Sequence, residues 1–159
     1  MKVLLALSAA VMATFPSVLA AQTLPNDVVF TDTGAIEAPL TDKAGNADDG
    51  LKTATTRPLG NCIACHVSAR WKDMPLPGNI GPDLTGVGTR YEEPQLRGIL
   101  VNAKHTFPDT VMPAFYNLKD IIRPGLDYTG KAATDPNVTI LDAQQIEDIV
   151  ALLKTFTEN

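Results

Sequence analysis

The chain has 159 residues, a formal charge of -5 and a pI near 4.9. That length suits one ordinary domain, or a domain with extensions, and the acidic balance argues against nucleic acid and anionic membrane surfaces as partners. Twelve prolines and eleven glycines with few aromatics favour helices joined by long ordered loops over a large sheet.

Lys2 precedes an apolar run over residues 3–15, and Ser17-Val18-Leu19-Ala20 supplies small residues for cleavage before Ala21. This is the pattern of a signal peptide over residues 1–20. As a membrane anchor the run is short, and Pro16 interrupts it. No later stretch has the length and apolarity of a span, so an exported, soluble mature protein is expected. Residues 21–40 lack a sustained period and read as an extended arm, within an N-terminal extension over 21–43. Two readings of that arm stand: a loose terminus, or a strap across a partner.

A helix is expected from Asn46, which can cap it, with Asp48 and Asp49 in the first turn where the dipole favours them. Gly50 inside that helix costs stability relative to alanine and suggests a crossing where another helix approaches closely. Next come Gly60-Asn61-Cys62-Ile63-Ala64-Cys65-His66, then the proline-rich loop Trp71-Lys72-Asp73-Met74-Pro75-Leu76-Pro77-Gly78. A further helix is expected from Glu93 to about Ala103, with Pro94 in its first turn and Leu96, Ile99 and Leu100 facing inward. Thr110-Val111-Met112-Pro113 reads as extended, because a residue before proline avoids the helical region. Residues 117–139 form a long loop. The last helix places Ile146, Ile149, Val150, Leu153 and Phe156 along one side, with Asp142 and Gln145 as a capping box, and is the expected partner for Gly50.

Chemistry concentrates in Cys62-Ile63-Ala64-Cys65-His66, the Cys-x-x-Cys-His attachment signal of a c-type haem. Two thiols three positions apart share one face of a helical turn, so each can add to a porphyrin vinyl group. The adjacent histidine then offers its imidazole to the iron. A thioredoxin-like redox pair would need a βαβ setting, which is not visible. A zinc site would have only Cys62, Cys65, His66 and His105, at poor spacing. A bare disulfide would leave His66 unexplained.

For the sixth iron position Met112 is the leading candidate, since it lies well downstream in a Met-Pro segment able to cross the far face. Met74 follows His66 by only eight positions and reads as loop packing. His105 is the rival and would give a bis-histidine centre of lower potential. An open site is the remaining alternative. His/Met ligation raises the potential and points to electron transfer. Arg70, Trp71, Arg90 and Tyr116 are candidate haem neighbours, with surface exposure an equal account of each.

Over residues 46–159 the chain resembles a class I cytochrome c. The shared pattern is Gly50, Cys62-Ile63-Ala64-Cys65-His66, Gly81-Pro82-Asp83-Leu84, Met112-Pro113 and the final helix. The resemblance implies an all-α fold over residues 44–159, with first and last helices crossing at the glycine and loops enclosing the haem. It also implies that the Pro82 carbonyl accepts a hydrogen bond from the second ring nitrogen of His66. A narrower likeness lies in Asn79-Ile80-Gly81-Pro82-Asp83-Leu84, Leu96-Arg97-Gly98-Ile99, Asn102-Ala103-Lys104-His105-Thr106-Phe107-Pro108 and Met112-Pro113-Ala114-Phe115-Tyr116. These are similar to SoxX, the small monohaem subunit of the SoxAX cytochrome of bacterial sulfur oxidation.

That likeness implies one covalent haem c on Cys62 and Cys65, axial His66 and Met112, and a periplasmic heterodimer with SoxA. The complex is an L-cysteine S-thiosulfotransferase that joins thiosulfate oxidatively to a cysteine of the carrier SoxYZ, at a SoxA haem. The cysteine count agrees with such a division of labour. With Cys62 and Cys65 both holding haem, no thiol remains here for the conjugation, and no catalytic residue is expected in this chain. Its role would be to take electrons from the SoxA haem and pass them to a small cytochrome c. A free monohaem carrier of a respiratory or photosynthetic chain is the alternative, and a gas sensor or peroxidase would require an open iron.

Overall fold

The computed structural model describes residues 21–75, 78–119 and 138–157. The expected signal peptide, Leu76-Pro77 and most of the 117–139 loop lie outside the described residues. Among the described residues there are four α-helices: α1 (Ala47–Thr55), α2 (Val87–Arg90), α3 (Glu93–Asn102) and α4 (Ala143–Lys154). Single 3-10 turns lie at Pro25–Asp27, Cys62–Ala64, Ala69–Trp71 and Ala103–His105. Among the described residues there is no strand, only an isolated antiparallel bridge between Gln22 and Thr41. None of these helices is long and apolar enough to cross a membrane.

Local chemistry starts each long helix where the sequence suggests. The Asn46 side chain accepts from the backbone N–H groups of Asp48 and Asp49, satisfying two donors that the first turn of α1 leaves free. At α4, Asp142 and Gln145 close a reciprocal capping box. Ile146, Ile149, Val150 and Leu153 are buried on one side of α4. Phe156 is buried as well, but it lies just past the helix end, where the chain turns at Thr155.

α1 and α4 cross at Gly50. A Cβ there would run into the backbone carbonyl of Asp148 and the Leu152 side chain, so only glycine permits this approach. Because the obstruction is backbone, α4 as a whole would have to move. Gly50→Val is therefore expected to cost about 1–3 kcal/mol by overpacking, read as a lower urea midpoint of the haem-loaded protein; an unchanged midpoint would contradict the crossing.

Three features depart from the sequence-based expectations. α3 spans its expected length, but its inward residues are Leu96, Arg97, Leu100 and Val101, with Ile99 only half-buried. α2 is a short helix beyond those the sequence pattern predicts, entered from Gly86 and containing Gly88, which would discourage it. It forms because Gly88 fits closely against the last carbonyls of α4, and Lys154 Nζ donates to Gly88 O (2.8 Å) and Tyr91 O (3.1 Å).

The third departure is the arm, which is not a loose terminus. Ile36 and Leu40 sit in the apolar core, and Thr23 N–H donates to Leu40 O (2.7 Å). A buried ion pair explains the docking. Arg97 of α3 meets Glu147 of α4 through Nε–Oε1 (2.7 Å) and Nη2–Oε2 (3.0 Å). The arm supplies the remaining partners: Ile36 O accepts from Arg97 Nη1 (2.9 Å), and Leu40 N–H donates to Glu147 Oε1 (2.8 Å). Every buried polar atom of the pair is thus matched, as a low-dielectric interior demands.

Candidate haem site

The motif turn begins at Asn61, which adopts a left-handed conformation (φ 46°), one that asparagine tolerates better than most residues. Cys62–Ala64 then form a 3-10 turn, and Cys65 N–H and His66 N–H both donate to Cys62 O (3.1 and 2.9 Å). Gly60 N–H donates to Thr53 O (3.1 Å), which ties the turn to the end of α1. Both thiols are half-buried and unbridged. Packing around Cys62 pushes its thiol up to about 12, and the neighbouring Cys65 acts in the same direction. A nucleophilic redox pair needs the opposite shift.

A second strip of chain is laced along this turn. Gly78 N–H donates to Ile63 O (2.7 Å), Gly81 N–H to Cys65 O (2.7 Å) and Leu84 N–H to Val67 O (2.9 Å). This lacing sets the Pro82 carbonyl 2.7 Å from His66 Nδ1. A carbonyl can only accept, so Nδ1 carries a proton and Nε2 is the ring nitrogen left for a metal. Gly81 lies flat against the imidazole, where a Cβ would strike Cε1, Nδ1 and Nε2 together. Trp71 Nε1 donates to the backbone oxygen of His66 (3.2 Å) and fixes it from inside. The strip itself is held by Arg90, which donates to Thr85 O (2.6 Å) and Asp83 O (2.9 Å). Hydrogen bonds from Thr85 hold the Asp83 carboxyl below its usual range. The expected Pro82 contact is therefore present, and the donor set of two thiols and an oriented imidazole fits a covalently attached haem.

Met112 is half-buried and packs on the same apolar core as Cys62, Ile63, Met74 and Leu84. Its N–H donates to Thr110 Oγ1 (3.2 Å). His105 is exposed and stacks on Phe30 of the arm, with ring centroids 3.8 Å apart and planes at 17°. Of the four candidate neighbours, Trp71 belongs to the core, packed edge-on against Phe156 at 5.4 Å. Arg70 lies over the Phe156 ring at 5.9 Å. Tyr116 is buried, with its hydroxyl on Thr23 O. A cavity of about 300 Å³ opens elsewhere, among arm residues including Val28, Phe30, Ile36 and Leu40. Arg97 and Glu147 escaped the sequence reading. A charge inside the apolar run Leu96-Arg97-Gly98-Ile99-Leu100-Val101 was the available signal.

A helical chain that offers two thiols and a back-braced histidine from a single turn has the build of a c-type cytochrome. The solved structure of SoxXA from P. pantotrophus superimposes on it with a TM-score of 0.80 at 50% sequence identity, covering 86% of this chain and 99% of that one. No protein-family model matches the sequence, and no curated protein does. The chain belongs to the SoxX family of cytochromes.

Proposed function

We propose that the mature protein, freed of residues 1–20, is the electron-transfer subunit of a periplasmic SoxAX complex. It carries one haem c in a class I cytochrome c fold spanning residues 44–159, with residues 21–43 as an extension. Cys62 and Cys65 would hold the haem covalently, and His66 and Met112 would ligate its iron. The haem, once bound, supplies a one-electron couple whose potential the two axial ligands set.

The chain's own residues do the positioning. The Pro82 carbonyl accepts from Nδ1 of His66, and Gly81 leaves the imidazole the space that a Cβ would take. Cys62, Ile63, Leu84 and Met112, each partly buried, give this side of the fold an apolar lining against the core. His105, committed to Phe30, is the weaker ligand candidate. The observation that carries the reading is the 2.7 Å His66–Pro82 contact immediately beside the Cys-x-x-Cys turn, in a chain half identical to a SoxXA structure.

SoxA is the proposed partner, from whose haem electrons arrive as thiosulfate is joined to a SoxYZ cysteine. A small cytochrome c is the proposed acceptor. Mass spectrometry of the exported protein is expected to find one haem mass on the Cys62–His66 peptide, and His66→Ala to lower the yield of haem-stained protein severely. Co-expression with SoxA is expected to give a complex that survives size exclusion. A haem-loaded chain that stays a monomer with SoxA present would favour a free carrier instead, and a peptide of unmodified mass would end the haem assignment.

A further inference from the structure

The segment that carries Met112 is gripped at both ends by the N-terminal arm. On its upstream side His105 stacks on Phe30, and Thr106 Oγ1 donates to Thr33 O (3.4 Å). On its downstream side the buried Tyr116 hydroxyl donates to Thr23 O (2.8 Å). Between these two grips the described hydrogen bonds of residues 108–114 are local: Thr110 N–H to Phe107 O (3.0 Å) and Met112 N–H to Thr110 Oγ1 (3.2 Å). Such a segment has little of its own to fix where a sulfur points.

The arm can serve as a rigid reference because it is bound into the core. It crosses α3 at Gly98, where a Cβ would collide with the carbonyl of Gly34. Thr23 is tied to Leu40, and Leu40 to Glu147 and hence to Arg97. Tyr116 is also held through its own N–H, which donates to Val101 O (3.3 Å), one of the carbonyls left free at the end of α3. Its phenol is raised above its ordinary pKa by burial and, secondarily, by the charge of Asp142, so the hydroxyl remains a donor at neutral pH.

We propose that residues 23–34 of the arm form a clamp that holds Met112 on the iron, with Tyr116 and Phe30 as its positioning residues. The clamp rests on Met112 being the axial ligand. It assigns the arm a function inside this chain: setting how often the sixth position opens.

The test uses the haem-loaded protein and the variants Tyr116→Phe and Phe30→Leu, which keep the apolar bulk and remove the hydrogen bond or the ring stack. Three quantities are read: the far-red methionine-to-iron charge-transfer band of the oxidised form in rising urea, carbon monoxide uptake by the reduced form, and global unfolding by circular dichroism. Tyr116→Phe is expected to raise the methionine-free population, and with it the rate of carbon monoxide uptake, roughly fivefold, the factor expected for one net hydrogen bond. Phe30→Leu is expected to act in the same direction, and in both variants the band is lost at a urea concentration further below global unfolding than in the wild type. Unchanged uptake in both variants would overturn the clamp. So would a band that disappears only in step with global unfolding, since the arm would then support the fold alone. A wild-type protein that lacks the band and takes up carbon monoxide immediately would instead remove Met112 from the iron, and the clamp with it.

Discussion

Met112→Ala is expected to lower the reduction potential of the haem-loaded protein and to let its reduced form take up carbon monoxide. A thioether favours the reduced iron, and on the proposed ligation its loss would leave His66 as the only protein ligand. Axial ligands command a range of roughly 0.8 V, so a fall on the order of 100 mV or more is expected in a redox titration. The fold should persist, because Met112 is half-buried and its truncation costs less than the about 2–5 kcal/mol of a fully buried methionine. His105→Ala supplies the contrast. Its ring lies on Phe30, so the potential should barely move. An unchanged potential in the first variant together with a large change in the second would transfer the ligand role to His105.

Glu147→Leu is expected to be the most damaging single change for stability, at about 3–5 kcal/mol, the usual cost of stripping one partner from a buried ion pair. The Arg97 and Glu147 side chains are only 3% and 6% exposed, so water cannot compensate the abandoned guanidinium. The change also leaves the Leu40 N–H without its acceptor, adding the desolvation cost of an orphaned donor, about 1–3 kcal/mol where burial is complete. Replacing both partners, as Arg97→Met with Glu147→Leu, removes the unpaired charge but still orphans Leu40 N–H and Ile36 O. The double variant should therefore lose much less than the sum of the two single losses, and urea denaturation of the haem-loaded proteins measures this directly. Additive losses would mean that the two side chains do not act as a pair. The arm should also respond: backbone amides near Leu40 are expected to exchange faster in Glu147→Leu, because that side chain is its anchor on α4.

Much of the chemistry was legible in the order of residues. The Cys-x-x-Cys-His run needs only its own spacing to announce two anchors and an iron ligand. The caps at Asn46 and Asp142, and the apolar side of α4, follow from contacts three or four residues apart, which a sequence exposes directly. Gly50 could be paired with the last helix because a glycine within a helix is a cost that close approach explains. The same local logic failed for α2, whose glycines are offset by Lys154 and the α4 backbone, more than sixty positions away. Surface exposure, one account of Trp71, failed too: it is packed on Phe156 with its nitrogen donating to the backbone oxygen of His66.

What the sequence determined by itself is therefore the set of atoms available to a haem and the helices that begin at well-formed caps, since both depend on neighbours along the chain. Only the tertiary structure decided where residues 21–43 go, because their local turns, such as Gly34 N–H to Thr31 O, do not set their course over the core. Their backbone groups are satisfied by an arginine and a glutamate contributed by two different helices, and their far end by the hydroxyl of Tyr116. A buried charge can be tolerated only where every partner arrives at once, and that simultaneous arrival is a property of the folded chain as a whole.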